Sequence, residues 1–203
     1  MKENQMLGPQ NTFVFRVIAF FSKLQLSYLL RSMASPRFVV VLFVFIAGAT
    51  AMGIITLVAY LTKLPLLFPP LGPSAFILFH TPMSVTASPR NVILSHTLAV
   101  AAGLLSFQLV GMICPGSNLI DSSVMNWYRV MAIALSMGLI GILMISVRCV
   151  HPPAAASALI AAMGYLANPE QILGIIGAVI LLVLEAIETT FWQQLAAKIF
   201  QRR

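Results

Sequence analysis

Two serines, two histidines and two pairs of prolines are the residues of this chain best placed to do chemistry. The phrase Pro69-Pro70-Leu71-Gly72-Pro73-Ser74-Ala75-Phe76-Ile77 is echoed 83 positions later by Pro152-Pro153-Ala154-Ala155-Ala156-Ser157-Ala158-Leu159-Ile160, and both copies lie in apolar sequence. Paired prolines push the preceding residue out of helical geometry and lack an N–H, so each copy reads as an extended stretch that breaks into a short helix. Amides at a helix start have no intrahelical partner and carry partial positive charge, which suits an oxyanion. The prolines leave Leu71, Gly72 and Ser74 as donors in the first copy, whereas Ala154, Ala155, Ala156 and Ser157 can all donate in the second. The hydroxyls of Ser74 and Ser157 either add to those donors or bond back to a helical carbonyl. Having more donors, and being preceded by His151, the second start is expected to weigh more in binding.

His151 and His96 are the ionisable groups that enter apolar sequence, and an ionisable side chain inside a bilayer is a functional candidate by default. A histidine that titrates near neutrality can carry a coupled proton; the alternative for His151 is a structural place at a mouth or on a carbonyl. His96, one turn into its span beside Asn91 and Ser95, reads more readily as an interfacial or packing residue. Arg90 and Asn91 open that span and, with Arg148, form a candidate vestibule or coupling set; ordinary headgroup anchoring is the bland reading of such arginines. Glu185 and Glu188 share a helical face close to Trp192 and Lys198, where carboxylates are tolerable. No nucleophile is paired with a base, no histidine or glutamate has zinc spacing, and no glycine-rich phosphate loop is present, so neither an enzyme nor a metal or cofactor site is expected. Cys114 and Cys149 have no ligand spacing and read as packing residues.

The elements that must position these groups are membrane helices. Of 203 residues, 60% are hydrophobic and 8% charged, against roughly 25% charged in a soluble domain. Four stretches reach the ~20 apolar residues that a span needs: Phe38–Leu61, Val92–Ile113, Tyr128–Val147 and Gln171–Phe191. The fold class expected is therefore all-α integral membrane, in two repeats of helix, Pro-Pro-broken helix, helix, covering about 34–116 and 117–203 in a single transmembrane domain, 34–203. Residues 1–33 are set apart as an amphipathic interfacial segment. Within them Arg16, Lys23 and Arg31 fall on one arc and Phe13, Val17, Phe20, Phe21, Leu24 and Tyr28 on the rest, the pattern of a helix lying among headgroups. The net charge of +7 is thereby assigned to membrane lipid and span ends, with no nucleic acid implied. Met1 reads as the mature start, since the first ten residues lack an apolar signal core.

Topology depends on whether the broken segments cross. With a cytoplasmic N-terminus, six crossings place Arg90, Arg148 and the tail with Lys198, Arg202 and Arg203 inside, and leave Lys63 and Arg129 outside. Four spans with two re-entrant segments would put Arg90 and Arg148 outside. The charges favour six crossings and hence inverted repeats. Helix breaks in corresponding halves point to a transporter's binding site, and two opposed helix starts carry at most about one elementary charge between them, which suits a monovalent anion. Other small solutes, such as an organic acid or a sulfonate, and a non-transporting scaffold or sensor subunit are the alternatives. A homo-oligomer is compatible with all of these.

The run Arg148-Cys149-Val150-His151-Pro152-Pro153-Ala154-Ala155-Ala156 resembles the HPP family of integral membrane proteins. Pro69-Pro70-Leu71-Gly72-Pro73-Ser74-Ala75 and Ser88-Pro89-Arg90-Asn91-Val92-Ile93, with His96, are similar to that family's other block. The resemblance extends from about Arg37 to Phe191. It implies an integral membrane protein, here expected in a bacterial plasma membrane. Because some relatives are associated with nitrite transport, it also implies nitrite as the anion to test first. Pro73 departs from the small residue usual in the family and disturbs the symmetry of the two helix starts.

Overall fold

The computed structural model describes residues 36–117, 119, 125–166 and 168–201, with side chains to Phe191. The amphipathic segment expected over 1–33 lies outside the described residues. Among the described residues six α-helices follow in the order long, short, long, twice over: α1 (Pro36–Thr62), α2 (Leu71–His80), α3 (Pro89–Ile113), α4 (Trp127–Ser146), α5 (Ala154–Ala162) and α6 (Pro169–Gln201), with a 3-10 turn at Val85–Ala87 between α2 and α3. Among the described residues there is no strand. The four long helices contain the stretches apolar enough to cross a membrane, Val40–Thr62, Pro89–Ile113, Trp127–Ser146 and Pro169–Phe191, within a few residues of those expected from sequence. The two short ones start 83 residues apart, each directly behind its proline pair.

The chain divides into two compact units, Met1–Ile46 with Ile187–Arg203, and Ala47–Ala186. The second holds every group of the site described below.

Local sequence explains where these helices start and stop. Ser88 caps α3 by accepting the Asn91 amide at 3.4 Å, with Pro89 at the first helical position, and Asn126 caps α4 by accepting the Arg129 amide at 2.9 Å. Short polar side chains at this position satisfy amides that the helix itself cannot, and proline at N1 loses nothing. At the other end of α4, Arg148 takes φ +54°. Its amide meets the Ile145 carbonyl at 3.2 Å and the Cys149 amide reaches back to Met144 at 3.0 Å, a Schellman stop that turns the chain towards His151. Gly164, at φ +85°, ends α5 the same way, with the Tyr165 amide on Ile160 at 3.2 Å. Only a glycine suits that second stop, because a Cβ there would come within 2.9 Å of the Phe107 ring as well.

Packing in the second unit centres on α3. Successive contacts along α3 with rising numbers in the later segment, Ser95 with Cys149, His96 with Ser157, and Gly103 with Ala158 and Ala161, show that α5 runs parallel to it. Helix α4 runs antiparallel: Ala99 and Ala102 pack with Ile140 and Met144, whereas Val110 packs with Ala132. Helix α2 is also antiparallel to α3, since Phe68 just before it packs near Val100 and Leu104, Ser74 meets His96, and Val85 beyond it meets Asn91. Between apolar helices in lipid the attraction is close van der Waals contact, which small residues permit. Gly103 is the tightest case, because a Cβ there would fall on the Ala158 carbonyl oxygen and 2.5 Å from the Ala161 methyl. Gly174 has the Pro65 carbonyl against it in the same manner. Ala134 and Gly138, two small residues four apart in α4, face outwards, with nothing within 4 Å of a Cβ at 138. Spacing alone cannot say which face of a helix meets a neighbour.

Candidate functional site

Both proline phrases deliver their serines to one buried imidazole. His96, on the inner face of α3, has Ser74 Oγ 3.0 Å from Nε2 and Ser157 Oγ 2.7 Å from Nδ1. Ser74 belongs to the first turn of α2 and Ser157 to the first turn of α5. Ser74 Oγ also lies 2.9 Å from Nε2 of His151, whose Nδ1 donates to the Thr86 carbonyl at 2.8 Å. The two rings are 5.3 Å apart between centroids. Thus a continuous polar chain runs Thr86, His151, Ser74, His96, Ser157, and the four side chains in it are wholly shielded from solvent.

The helix starts themselves differ from the sequence expectation. Pro70 and Pro153 are not extended but already helical, at φ −60°, ψ −22° and φ −57°, ψ −25°. The fixed φ of proline is compatible with a helix, so the second proline of each pair can open one. As a result the turn closes on itself. The amides of Leu71, Gly72 and Ser74 donate to Phe68, Pro69 and Pro70 at 3.1, 3.4 and 3.3 Å, and those of Ala154, Ala155 and Ala156 to His151, Pro152 and Pro153 at 3.0, 3.1 and 3.1 Å. The expectation that these six amides stand free for a ligand is corrected. What the two starts contribute to the buried centre is side chains.

Ser74 uses its hydroxyl in both of the ways open to it, bonding back to the Pro70 carbonyl at 2.9 Å while facing the two histidines. Among the described residues, the Ser157 hydroxyl meets His96 alone. Counted in side-chain contacts, the first start engages more partners than the second. His96, read from sequence as a packing residue, is the bridge between them, and His151 is the link to Thr86.

The proposed vestibule residues separate. Asn91 is buried and pinned through Nδ2 to the Val85 carbonyl at 2.8 Å, which fixes the turn carrying Thr86. Arg90 and Arg148 are exposed at the end of the fold where α3 begins and α4 finishes, and Arg90 reaches the Val147 carbonyl at 3.5 Å. His80 is exposed and stacks on Phe76.

Sequence reasoning missed three groups. Ser95 donates to the Cys149 carbonyl, tying the segment before His151 to α3 one residue from His96. The Thr86 carbonyl orients His151, and a backbone oxygen leaves no trace in residue type. Arg129, read from sequence only as a charge on the outer side, is wholly buried in the protein, its guanidinium donating to the Met163 carbonyl at the end of α5 and to the Leu119 carbonyl at 3.0 Å. An arginine one turn into an apolar run was the available signal, because its five donors can serve several carbonyls at once. Among the described residues no group of three or more histidine, cysteine, aspartate or glutamate side chains is placed to hold a metal.

A family model described as the transmembrane region of HPP proteins matches residues 33–198. The chain belongs to the HPP family. This HPP protein is an integral membrane protein, with four helices of spanning length and a match that covers both proline phrases and both buried histidines. No curated protein and no solved structure matches the chain.

Proposed function

We propose that this HPP protein is a transporter, not an enzyme, and that it carries a small monovalent anion, with nitrite the first candidate, past the centre formed by Ser74, His96, His151 and Ser157. The observation that carries the reading is the meeting of both proline-broken helices on one buried imidazole. Broken helices at membrane depth are tolerated where they surround a site, and their occurrence in both halves of a chain is the mark of secondary transporters. A purely structural anchor has no need of four buried polar side chains in one network. Anion preference draws support from Arg90 and Arg148, which set two exposed positive charges at the end of the fold nearest His151.

In this reading the chain crosses six times as inverted repeats, in a bacterial plasma membrane. Helices α2 and α5, of 10 and 9 residues, span about 15 Å each, half of a ~30 Å hydrocarbon layer. The stretch 63–70 supplies the remaining reach before α2. The order of contacts agrees: α5 runs parallel to α3 from the level of Met144 to that of Arg129, and α2 runs antiparallel to α3. Single thiols introduced at positions 63 and 165 should then be labelled from one side of the membrane, and those at 90 and 148 from the other. Labelling of 63 and 90 from the same side would refute the six-crossing arrangement.

Function is tested with purified protein in liposomes, following uptake of nitrite, nitrate, formate, sulfite and small sulfonates. Saturable uptake of a monovalent anion is the expected result. Uptake of cations or sugars in preference to all of them would overturn the reading.

A further inference from the structure

The buried chain of contacts is one hydrogen short. Five contacts link its members: His151 Nδ1 to the Thr86 carbonyl, His151 Nε2 to Ser74, Ser74 to the Pro70 carbonyl, Ser74 to His96 Nε2, and His96 Nδ1 to Ser157. Each needs one hydrogen. Neutral histidines supply one apiece and each serine supplies one, giving four. The Thr86 carbonyl only accepts, so the single hydrogen of neutral His151 sits on Nδ1 and its Nε2 presents a lone pair to Ser74. His96 and Ser157 can satisfy their mutual contact and the one from His96 to Ser74. The Ser74 hydroxyl is then asked to donate to both the Pro70 carbonyl and His151 Nε2, and it has one hydrogen.

We infer that His151 Nε2 is a proton-binding site, and that the protein carries a proton and a monovalent anion together as an electroneutral pair; this rests on the transport reading above. A proton added at His151 Nε2 completes all five contacts, with Ser74 accepting from both imidazoles and donating to Pro70. A proton added to His96 does not, because Ser74 still faces the bare Nε2 of His151. The count therefore assigns the proton to one atom.

The same surroundings require an anion with it. His151 meets Thr86 of the 3-10 turn, Ser74 of α2 and the His96 ring of α3, and neither ring meets a carboxylate among the described residues. The Cys149 thiol lies two residues before it, and Arg90 and Arg148 are exposed nearby. An imidazolium shielded from solvent with no carboxylate in contact is costly without a negative partner. A transported anion supplies that partner, and departure of the anion releases the proton. Empty, the site returns to its neutral state, in which Ser74 forgoes one contact.

The test uses protein with ¹⁵N-labelled histidine in lipid nanodiscs, titrated with sodium nitrite between pH 5 and 8, with a pH dye reporting proton uptake. Nitrite should bring one proton to each protein, with the imidazolium signature on His151 and His96 remaining neutral. His151→Gln keeps an N–H for Ser74 without a titratable group, and folded protein of this variant should take up none. In vesicles, nitrite influx should follow an imposed pH gradient and ignore a potassium diffusion potential. An imidazolium at His96, no proton taken up with saturating nitrite, undiminished uptake by His151→Gln, or influx driven by voltage alone would each overturn the proposal. Vesicles that admit no anion sink the transport reading instead, and the proton site is then decided by the nanodisc titration.

Discussion

Replacing Ser74 with alanine removes a single oxygen and undoes three contacts. The Pro70 carbonyl keeps the Ser74 backbone amide at 3.3 Å, so its loss is small. The costly part is that Nε2 of His96 and Nε2 of His151 both lose their partner inside a region closed to water. Side-chain hydrogen bonds between membrane helices average about 0.6 kcal/mol each, and a buried polar group left without a partner costs about 1–3 kcal/mol. Two such groups place Ser74→Ala at roughly 2–4 kcal/mol by these values, allowing for local relaxation. Ser157→Ala strands Nδ1 of His96 alone and should cost roughly 1–2 kcal/mol on the same basis. Thermal or denaturant unfolding of both variants in one lipid–detergent mixture, followed by helical circular dichroism, measures the difference. Ser74→Ala should also depress uptake more than Ser157→Ala. Equal losses, or a greater loss for Ser157→Ala, would refute the view that Ser74 is the node of the network.

Gly103→Ala forces the α3–α5 contact apart and should destabilise by about 1–3 kcal/mol, the usual cost of overpacking, whereas Gly138→Ala, which meets open space, should be neutral or stabilise by up to about 1 kcal/mol through helix propensity; unfolding of the pair compares them directly. Arg129→Lys keeps the charge but cannot span the Met163 and Leu119 carbonyls as a guanidinium does, and should lose about 1.5–3 kcal/mol, the worth of one charged hydrogen bond, read as a lowered melting temperature. Arg148→Gly relieves a side chain held at φ +54° and should stabilise by about 1 kcal/mol, with a slower anion uptake at low salt if the exposed charge serves the entrance.

The membrane class, the four long helices and the two helix breaks were legible in the sequence, because each follows from local rules. A bilayer demands long apolar runs, and proline excludes the residue before it from a helix whatever the tertiary context. The 83-residue echo likewise named Ser74, Ser157 and His151 as the polar groups to watch. Tertiary structure alone decided what they touch. That His96 bridges the two serines depends on α5 lying parallel to α3 and close against it, a contact made through Gly103 and three alanines rather than through any motif. The free amides expected at the helix starts vanished because Pro70 and Pro153 adopt helical angles and close their own turns. That Arg129 is a buried tie was not legible, because the carbonyls it serves, at residues 119 and 163, come together only in the packed fold. Residue type announces which groups can bond; which bonds exist is fixed by which helix faces approach each other, and a sequence of alanine, leucine and isoleucine offers many faces that look alike.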